Sequence, residues 1–329
     1  MRIASCFIAL MIGLAAPAFG AEPIAIAEIG HILVGGETTV IRGAAKRPRV
    51  RPPGSPLLEI DPNGDYTHGA TYVHFVRLAQ PRHALPILLL PGGGLSGASY
   101  ETTPDGRPGW QSFFLRAGYS VFTADLQETG RSPFARYPEI DPDEPSFRDR
   151  AFLWEIFRIG PPNSYASLTA FEGTQFPVAA FDDFAKLASP RFRLTPEAEA
   201  KIYDAIVAHV CPCVVIAHSA SGGPALAAAQ RHPELVKTIV VVEPASVPET
   251  RSAAAPTLHV WGDYLRPDQT QADWQIEHEA SRAFAAATGA TFVDLPAQDI
   301  RGNSHLPMMD RNSDEVARVI SRWIDQKSR

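Results

Sequence analysis

The chain has 329 residues, 45% of them hydrophobic, with 30 prolines and a net charge of −6. This composition fits one large globular domain or two small ones and excludes a disordered chain. No long run carries one charge sign, so no nucleic-acid partner is expected.

The first twenty residues, MRIASCFIALMIGLAAPAFG, join an early Arg2 to an apolar run from Ile3 to Leu14, then to small residues Ala18 and Gly20. That is the pattern of a secretory signal peptide over 1–20, which leaves a mature domain of 21–329, secreted or periplasmic. The run is short for a membrane anchor, so no stable membrane insertion is expected once the leader is cleaved. Cys6 lies inside that run, too early to carry a lipid. Cys211 and Cys213 flank Pro212. In an oxidising compartment they can pair, but a bridge across one residue is strained, and two buried thiols fit equally well.

Beyond the leader, HILVGG near His31 and ATYVHFVRL from Ala70 read as strands separated by a proline-rich loop. LPILLLPGGG is an apolar run ending in glycines, as a buried parallel strand entering a loop would be. GWQSFFLRAG has helical spacing with a stop at Gly118, and YSVFTADL is the next buried strand. The stretch from about 131 to 210 breaks the alternation and reads as an insertion roofing the site, with helical pieces around DRAFLWEIFRIG and TPEAEAKIYDAIVAHV. The alternation resumes with strand CVVIA, helix GPALAAAQRH, strands KTIVVVE and TLHVWG, helix DWQIEHEASRAFAAATG, strand TFVDLP and helix SDEVARVISRWIDQ. Strands alternating with helices predict an α/β fold, a mostly parallel sheet with helices on both faces. Sites in such sheets lie at the carboxyl ends of the strands.

Four strand ends carry chemistry-bearing residues. After CVVIA comes His218-Ser219-Ala220-Ser221 and then a helix. A sharp strand-to-helix turn needs φ > 0 at the turn residue and small neighbours two positions away. Ser219 has Ala217 and Ser221 there; Ser221 has Ser219 and Gly223. Ser219 comes one residue after the strand, whereas Ser221 falls in the first helical turn, so placement favours Ser219 as a nucleophile. The ordinary use of such a serine is a helix N-cap. After KTIVVV comes Glu243, a carboxylate that is costly to bury without a partner. An ion pair or a cap is its ordinary role. After TLHVWG come the rival carboxylates Asp263 and Asp268. His305 lies in the loop before the last helix; among ten histidines it is weak evidence alone. Serine, acid and histidine in that order is the chain order of α/β-hydrolases. A serine hydrolase also needs donors for the oxyanion. Gly93 and Gly94 in PGGG would supply one, and the N–H of Ala220 the other. No glycine-lysine phosphate loop follows PGGG, and no His/Cys/Asp cluster has zinc spacing. Neither a metal nor any other cofactor is expected.

The segments PGGGLSGASYETTPDGRPGWQSFFLRAGYSVFTAD, GRS, WEIFRIGP, TQFPV, AHSASG, VVEP and GNSHLPMMDRN resemble, in the same order, a group of secreted bacterial α/β-hydrolases, the Alcaligenes esterase 713 group. The likeness runs from about Pro86 to near the C-terminus. It implies the α/β-hydrolase fold and an esterase whose acid follows the sixth strand rather than the seventh. Position by position, it puts the nucleophile on Ser219, the acid on Glu243 and the base on His305. That group carries two adjacent bonded cysteines in the oxyanion loop, where this chain has Gly93 and Gly94, so a more flexible loop and a different substrate are expected.

The leading reading is hydrolysis of a small-molecule ester. A lactone is the nearest alternative and uses the same residues. A catalytically inactive hydrolase fold serving as a binding protein is the alternative from another class. Trp154 and Phe157, with Phe152 and Tyr165, are candidates for an apolar substrate pocket, although a packed insertion core is the more common use of such residues. A homodimer is left open.

Overall fold

Residues Ile87–Leu90 are each at most 1% exposed. They form β5 near the middle of the sheet, buried on both faces as strands in parallel sheets are. In this computed structural model the described residues are 23–49, 52–133, 137–141, 143–250, 252, 255–266, 269 and 274–327. The expected signal peptide and Asp268 lie outside them.

The strands are β1 (Ile26–Ile41), β2 (Arg47–Pro48), β3 (Glu59–Ile60), β4 (Gly64–Leu78), β5, β6 (Val121–Asp125), β7 (Cys213–His218), β8 (Val236–Val242), β9 (Thr257–Trp261) and β10 (Thr291–Asp294). The short β2 and β3 pair with each other, and the other eight form one sheet in the order β1-β4-β6-β5-β7-β8-β9-β10. β1 and β4 form a long antiparallel pair, β4 runs antiparallel to β6, and every pairing from β6 to β10 is parallel. The strands read as HILVGG and ATYVHFVRL are longer than the sequence indicated. Most of the added residues are exposed or half-buried, so they carry a weak burial pattern.

The helices are α1 (Trp110–Arg116), α2 (Arg150–Ile156), α3 (Phe181–Ala185), α4 (Pro196–Val210), α5 (Gly222–Arg231), α6 (Trp274–Thr288) and α7 (Ser313–Lys327). One apolar cluster joins α1, α7 and the aromatics of α2 and α3 to one face of the sheet; a second joins α4, α5 and Phe284 of α6 to the other. Each Leu, Ile or Phe buried there contributes about 1.5–3 kcal/mol.

The sequence reading placed α4 in the insertion, but it is a sheet-covering helix. Ile202, Tyr203, Ile206, Val207 and Val210 recur at helical spacing and pack into the second cluster. Thr195 caps its start by accepting from the Ala198 N–H at 3.2 Å. The inserted stretch therefore stops before Pro196. Cys211 and Cys213 are joined in a disulfide, with Cα atoms 4.3 Å apart, so neither is the free thiol that was equally expected.

Candidate active site

β7 ends at His218, and Ser219 after it has φ +51. This is the left-handed turn expected at that position, and it costs a non-glycine residue about 1–3 kcal/mol. Two glycines let α5 start close beneath it. A Cβ on Gly222 would lie 2.4 Å from the Cβ of Pro244, and one on Gly223 would lie 2.2 Å from Ser246 Oγ.

The two serines have different surroundings. Ser219 Oγ lies 2.8 Å from His305 Nε2. Ser221 is fully buried; its hydroxyl accepts from Tyr203 OH at 2.9 Å and donates to the Pro91 carbonyl at 2.5 Å. Ser221 thus ties the turn to the start of the glycine loop, and only Ser219 meets a histidine.

Glu243 directly follows β8, also in the left-handed region with φ +48 and fully buried. Oε2 is hydrogen-bonded to His305 Nδ1. Oε1 accepts from the Gly262 N–H at 2.8 Å. Nη2 of Arg158 donates to both oxygens, at 2.6 and 2.7 Å. Burial pushes the Glu243 carboxyl up, but the Arg158 charge and the His305 hydrogen bond outweigh it and hold the group below the usual carboxylate range. Arg158 is itself fully buried, with φ +51, and its Nε donates to the Asp263 carbonyl at 2.9 Å. Its Nη1 lies 3.4 Å from His305 Nδ1.

His305 is enclosed. Its backbone N–H donates to the Phe157 carbonyl at 2.9 Å, and its ring centroid lies 4.0 Å from that of Trp274 and 5.8 Å from that of Phe157. Burial lowers the pKa of His305 and the Glu243 hydrogen bond opposes that, the net direction being down. A second histidine, His218, donates from Nε2 to the His305 carbonyl at 2.7 Å. Burial holds it down at about 3, so it is neutral at pH 7.

The loop ahead of His305 is held by other carboxylates. Asp263 accepts from the N–H groups of Gly302 and Asn303, at 2.5 and 3.3 Å. Buried Asp310 accepts from Asn303 Nδ2 and from the N–H and hydroxyl of Ser304, at 3.1, 2.8 and 2.8 Å. Gly302 sits at φ +84, where a Cβ would meet the Gly173 carbonyl at 2.0 Å. Gln175 donates to the Gly302 carbonyl and accepts from the Arg311 N–H. Arg107 donates to the carbonyls of Met309 and Asp310. The segments TPDGRPGW, TQFPV and GNSHLPMMDRN, far apart in the sequence, brace one another here.

Gly93 and Ala220 are neighbours: a Cβ on Gly93 would lie 3.0 Å from that of Ala220. Both are half-buried, whereas Ser219 is 8% exposed, so the opening to the serine runs past them. Among the described residues, neither N–H donates to a protein acceptor. Gly94 faces the other way. Its Cβ direction points to Arg148, and its carbonyl accepts from the Ser189 N–H at 2.9 Å.

The aromatic side chains named as pocket candidates have different surroundings. Trp154 is fully buried, packs edge-on against Phe181 and donates to Ser164 Oγ at 2.9 Å, so it belongs to the core of the insertion. Phe152 is 45% exposed and stands beside Arg148. Phe157 stacks on His305 and meets Phe184 edge-on.

The sequence reading missed Arg158, His218, Trp274 and Asp310. A single arginine between Phe157 and Ile159 carries no signal of its own; only the occurrence of FRIG within a long shared segment marked the neighbourhood. Among the described residues no group of three or more His, Cys, Asp or Glu side chains is placed to hold a metal, and no helix is long and apolar enough to cross a membrane.

No family model matches the chain. A probable secreted lipase from a fungus (Fungal sp., strain ATCC 74256) is 26% identical over 332 residues, covering 80% of this chain and 88% of the lipase. The atomic-resolution structure of a novel bacterial esterase is 29% identical, covers 95% of this chain and 100% of the esterase, and superposes with a TM-score of 0.78. Sheet order, strand-end site and this likeness along nearly the whole length agree: the chain has the α/β-hydrolase fold and is similar to a bacterial esterase.

Proposed function

We propose that this carboxylic-ester hydrolase works through an acyl-enzyme on Ser219, with His305 as base and Glu243 as the acid of the triad. The observation that carries the reading is the unbroken line from Ser219 Oγ to His305 Nε2, at 2.8 Å, and from His305 Nδ1 to Glu243. His305 takes the Ser219 proton as the oxygen attacks the ester carbonyl, and Glu243 orients the ring and supports the imidazolium. The oxyanion accepts hydrogen bonds from the N–H groups of Gly93 and Ala220. Collapse of the intermediate releases the alcohol with the proton from His305. Water, deprotonated by His305, then cleaves the acyl-enzyme.

The left-handed turn at Ser219 supports this assignment, because it lifts the hydroxyl clear of the sheet toward the opening. The Arg158 contact supports an ionised Glu243 at neutral pH. Export of the mature chain after residue 20 is part of the same proposal, in line with the secreted lipase it resembles. So is a covering role for the inserted residues from about 131 up to α4. A fluorophosphonate probe tests the nucleophile: wild type is labelled and Ser219→Ala is not. Labelling that persists in Ser219→Ala would move the nucleophile elsewhere.

A further inference from the structure

We propose that the opening of the site carries an anion-binding subsite made by Arg148 and Arg191, and that the preferred esters bear a carboxylate close to the scissile carbonyl. This deepens the proposed function and rests on it.

Both guanidinium groups sit against the glycine loop that borders Ser219. Arg148 Nη1 donates to the Gly93 carbonyl at 2.9 Å and lies 3.1 Å from where a Gly94 Cβ would be. Arg191 Cζ is 3.3 Å from the Cβ position of Gly93, itself 3.0 Å from the Cβ of Ala220. The two arginines therefore flank the residue whose N–H is proposed to meet the oxyanion.

Two like charges brought together are costly unless something of opposite sign lies between them. Among the described residues neither makes an ion pair with a carboxylate, although Arg107, Arg131, Arg150, Arg158 and Arg231 all do. Burial first, and the Arg191 charge second, lower the pKa of Arg148. The Arg148 charge also reaches His305. Asp143 and Glu144 are exposed and line a surface cavity together with Arg191, and Glu199, which the Arg191 charge also reaches, is held above the usual carboxylate range by burial. Each guanidinium presents five N–H donors in a planar fork matched to a carboxylate. Arg148 spends one of them on Gly93, and Arg191 is exposed. The chain as a whole carries −6; at the opening, it is the sides of the two guanidinium groups against Gly93 and Gly94 that would meet an anion. An ester carboxylate seated there would place its carbonyl beside Gly93 and Ala220.

Two ester series test this with the intact mature chain. One contains monoethyl esters of succinic, glutaric and adipic acids; the other, acetate esters of glycolic, 3-hydroxypropanoic and 4-hydroxybutanoic acids. Each is paired with the isosteric compound in which the free carboxylate is a carboxamide. The expected result is a ratio of kcat/KM, charged over amide, of about tenfold or more in at least one pair, one charge-assisted contact's worth. The ratio should fall toward one in Arg191→Gln and Arg148→Gln, stay high in Arg148→Lys, and shrink in high salt. Equal rates across all pairs, or a preference that survives both Gln variants, would overturn the subsite. If the probe fails to label Ser219 and no ester of either kind is cleaved, the proposed esterase reading fails instead, so the two failures are distinguishable.

Discussion

At the tip of β8, Glu243 is fully buried, bonded to a histidine through one oxygen and to an arginine through both. At the tip of the adjacent β9, Asp263 is half-buried and, among the described residues, its carboxylate accepts only backbone N–H groups, from Gly302 and Asn303. Burial pushes both carboxyls up. Only at Glu243 do a guanidinium and an imidazole outweigh that, and Asp263 stays raised. The lesson is that a strand-end position does not assign a role. The charge opposite the acid does, and here it comes from Arg158, on a segment inserted between β6 and β7.

The comparison can be broken by substitution. Ser219→Ala is the reference: on the proposed mechanism it removes about 10⁶-fold of kcat with the fold intact, measured by steady-state kinetics and circular dichroism. Next comes Glu243→Gln, expected to lose about 10⁴-fold in kcat, the cost of replacing a triad acid by its amide. Asp263→Asn should lose only about tenfold, because an amide oxygen still accepts from the loop and two strong acceptor bonds weaken. A crippled Asp263→Asn beside a healthy Glu243→Gln would reverse the assignment.

Arg158→Met sharpens the comparison by making the surroundings of Glu243 more like those of Asp263. It leaves a buried carboxylate without its cation, which costs about 3–5 kcal/mol of stability, read by urea denaturation. It also moves a pH profile. The Arg158 charge is among the causes that lower the His305 pKa, and His305 must be neutral to accept the Ser219 proton. In wild type, kcat/KM should therefore persist to pH values below the ordinary histidine range. Removing the Arg158 charge raises the His305 pKa, so the acidic limb should shift to higher pH. An unshifted limb would leave Arg158 a purely structural partner. The smallest effect is expected from Ser221→Ala, about 1–3 kcal/mol of stability for the exposed needs of Tyr203 OH and the Pro91 carbonyl, with measurable turnover retained.

Much of this was legible in the sequence. The buried strands announced themselves as apolar runs such as ILLL and IVVV. The residues just after them are those the structure gathers: Ser219 from β7, Glu243 from β8 and His305 from the last loop. The choice between Ser219 and Ser221 followed from counting residues past the strand. What could not be read was anything set by contacts between distant segments. Arg158 is one arginine in an aromatic stretch until folding brings it 2.6 Å from Glu243. Trp154 and Phe157 are equivalent in sequence, yet one is enclosed by Phe181 and the other lies on the His305 ring. The edges of β1 and β4 and the true end of the insertion were misjudged because partly exposed strands and a sheet-covering helix carry weak patterns in a single sequence.

The hydrogen bond from His305 to the Phe157 carbonyl, together with the Arg158 grip on Glu243, bears on engineering. Exchanging the cover above the strands is a common way to alter which substrates a scaffold accepts. Here residues 157 and 158 cannot be exchanged alone, because they hold two members of the proposed triad in place. A chimera that respects this would graft only segments on either side of FRIG, or would move FRIG, TQFPV and the GNSH loop together as one block. In this scaffold the proposed cover is not a module: FRIG and TQFPV belong with the GNSH loop, and recombination sites belong on either side of them.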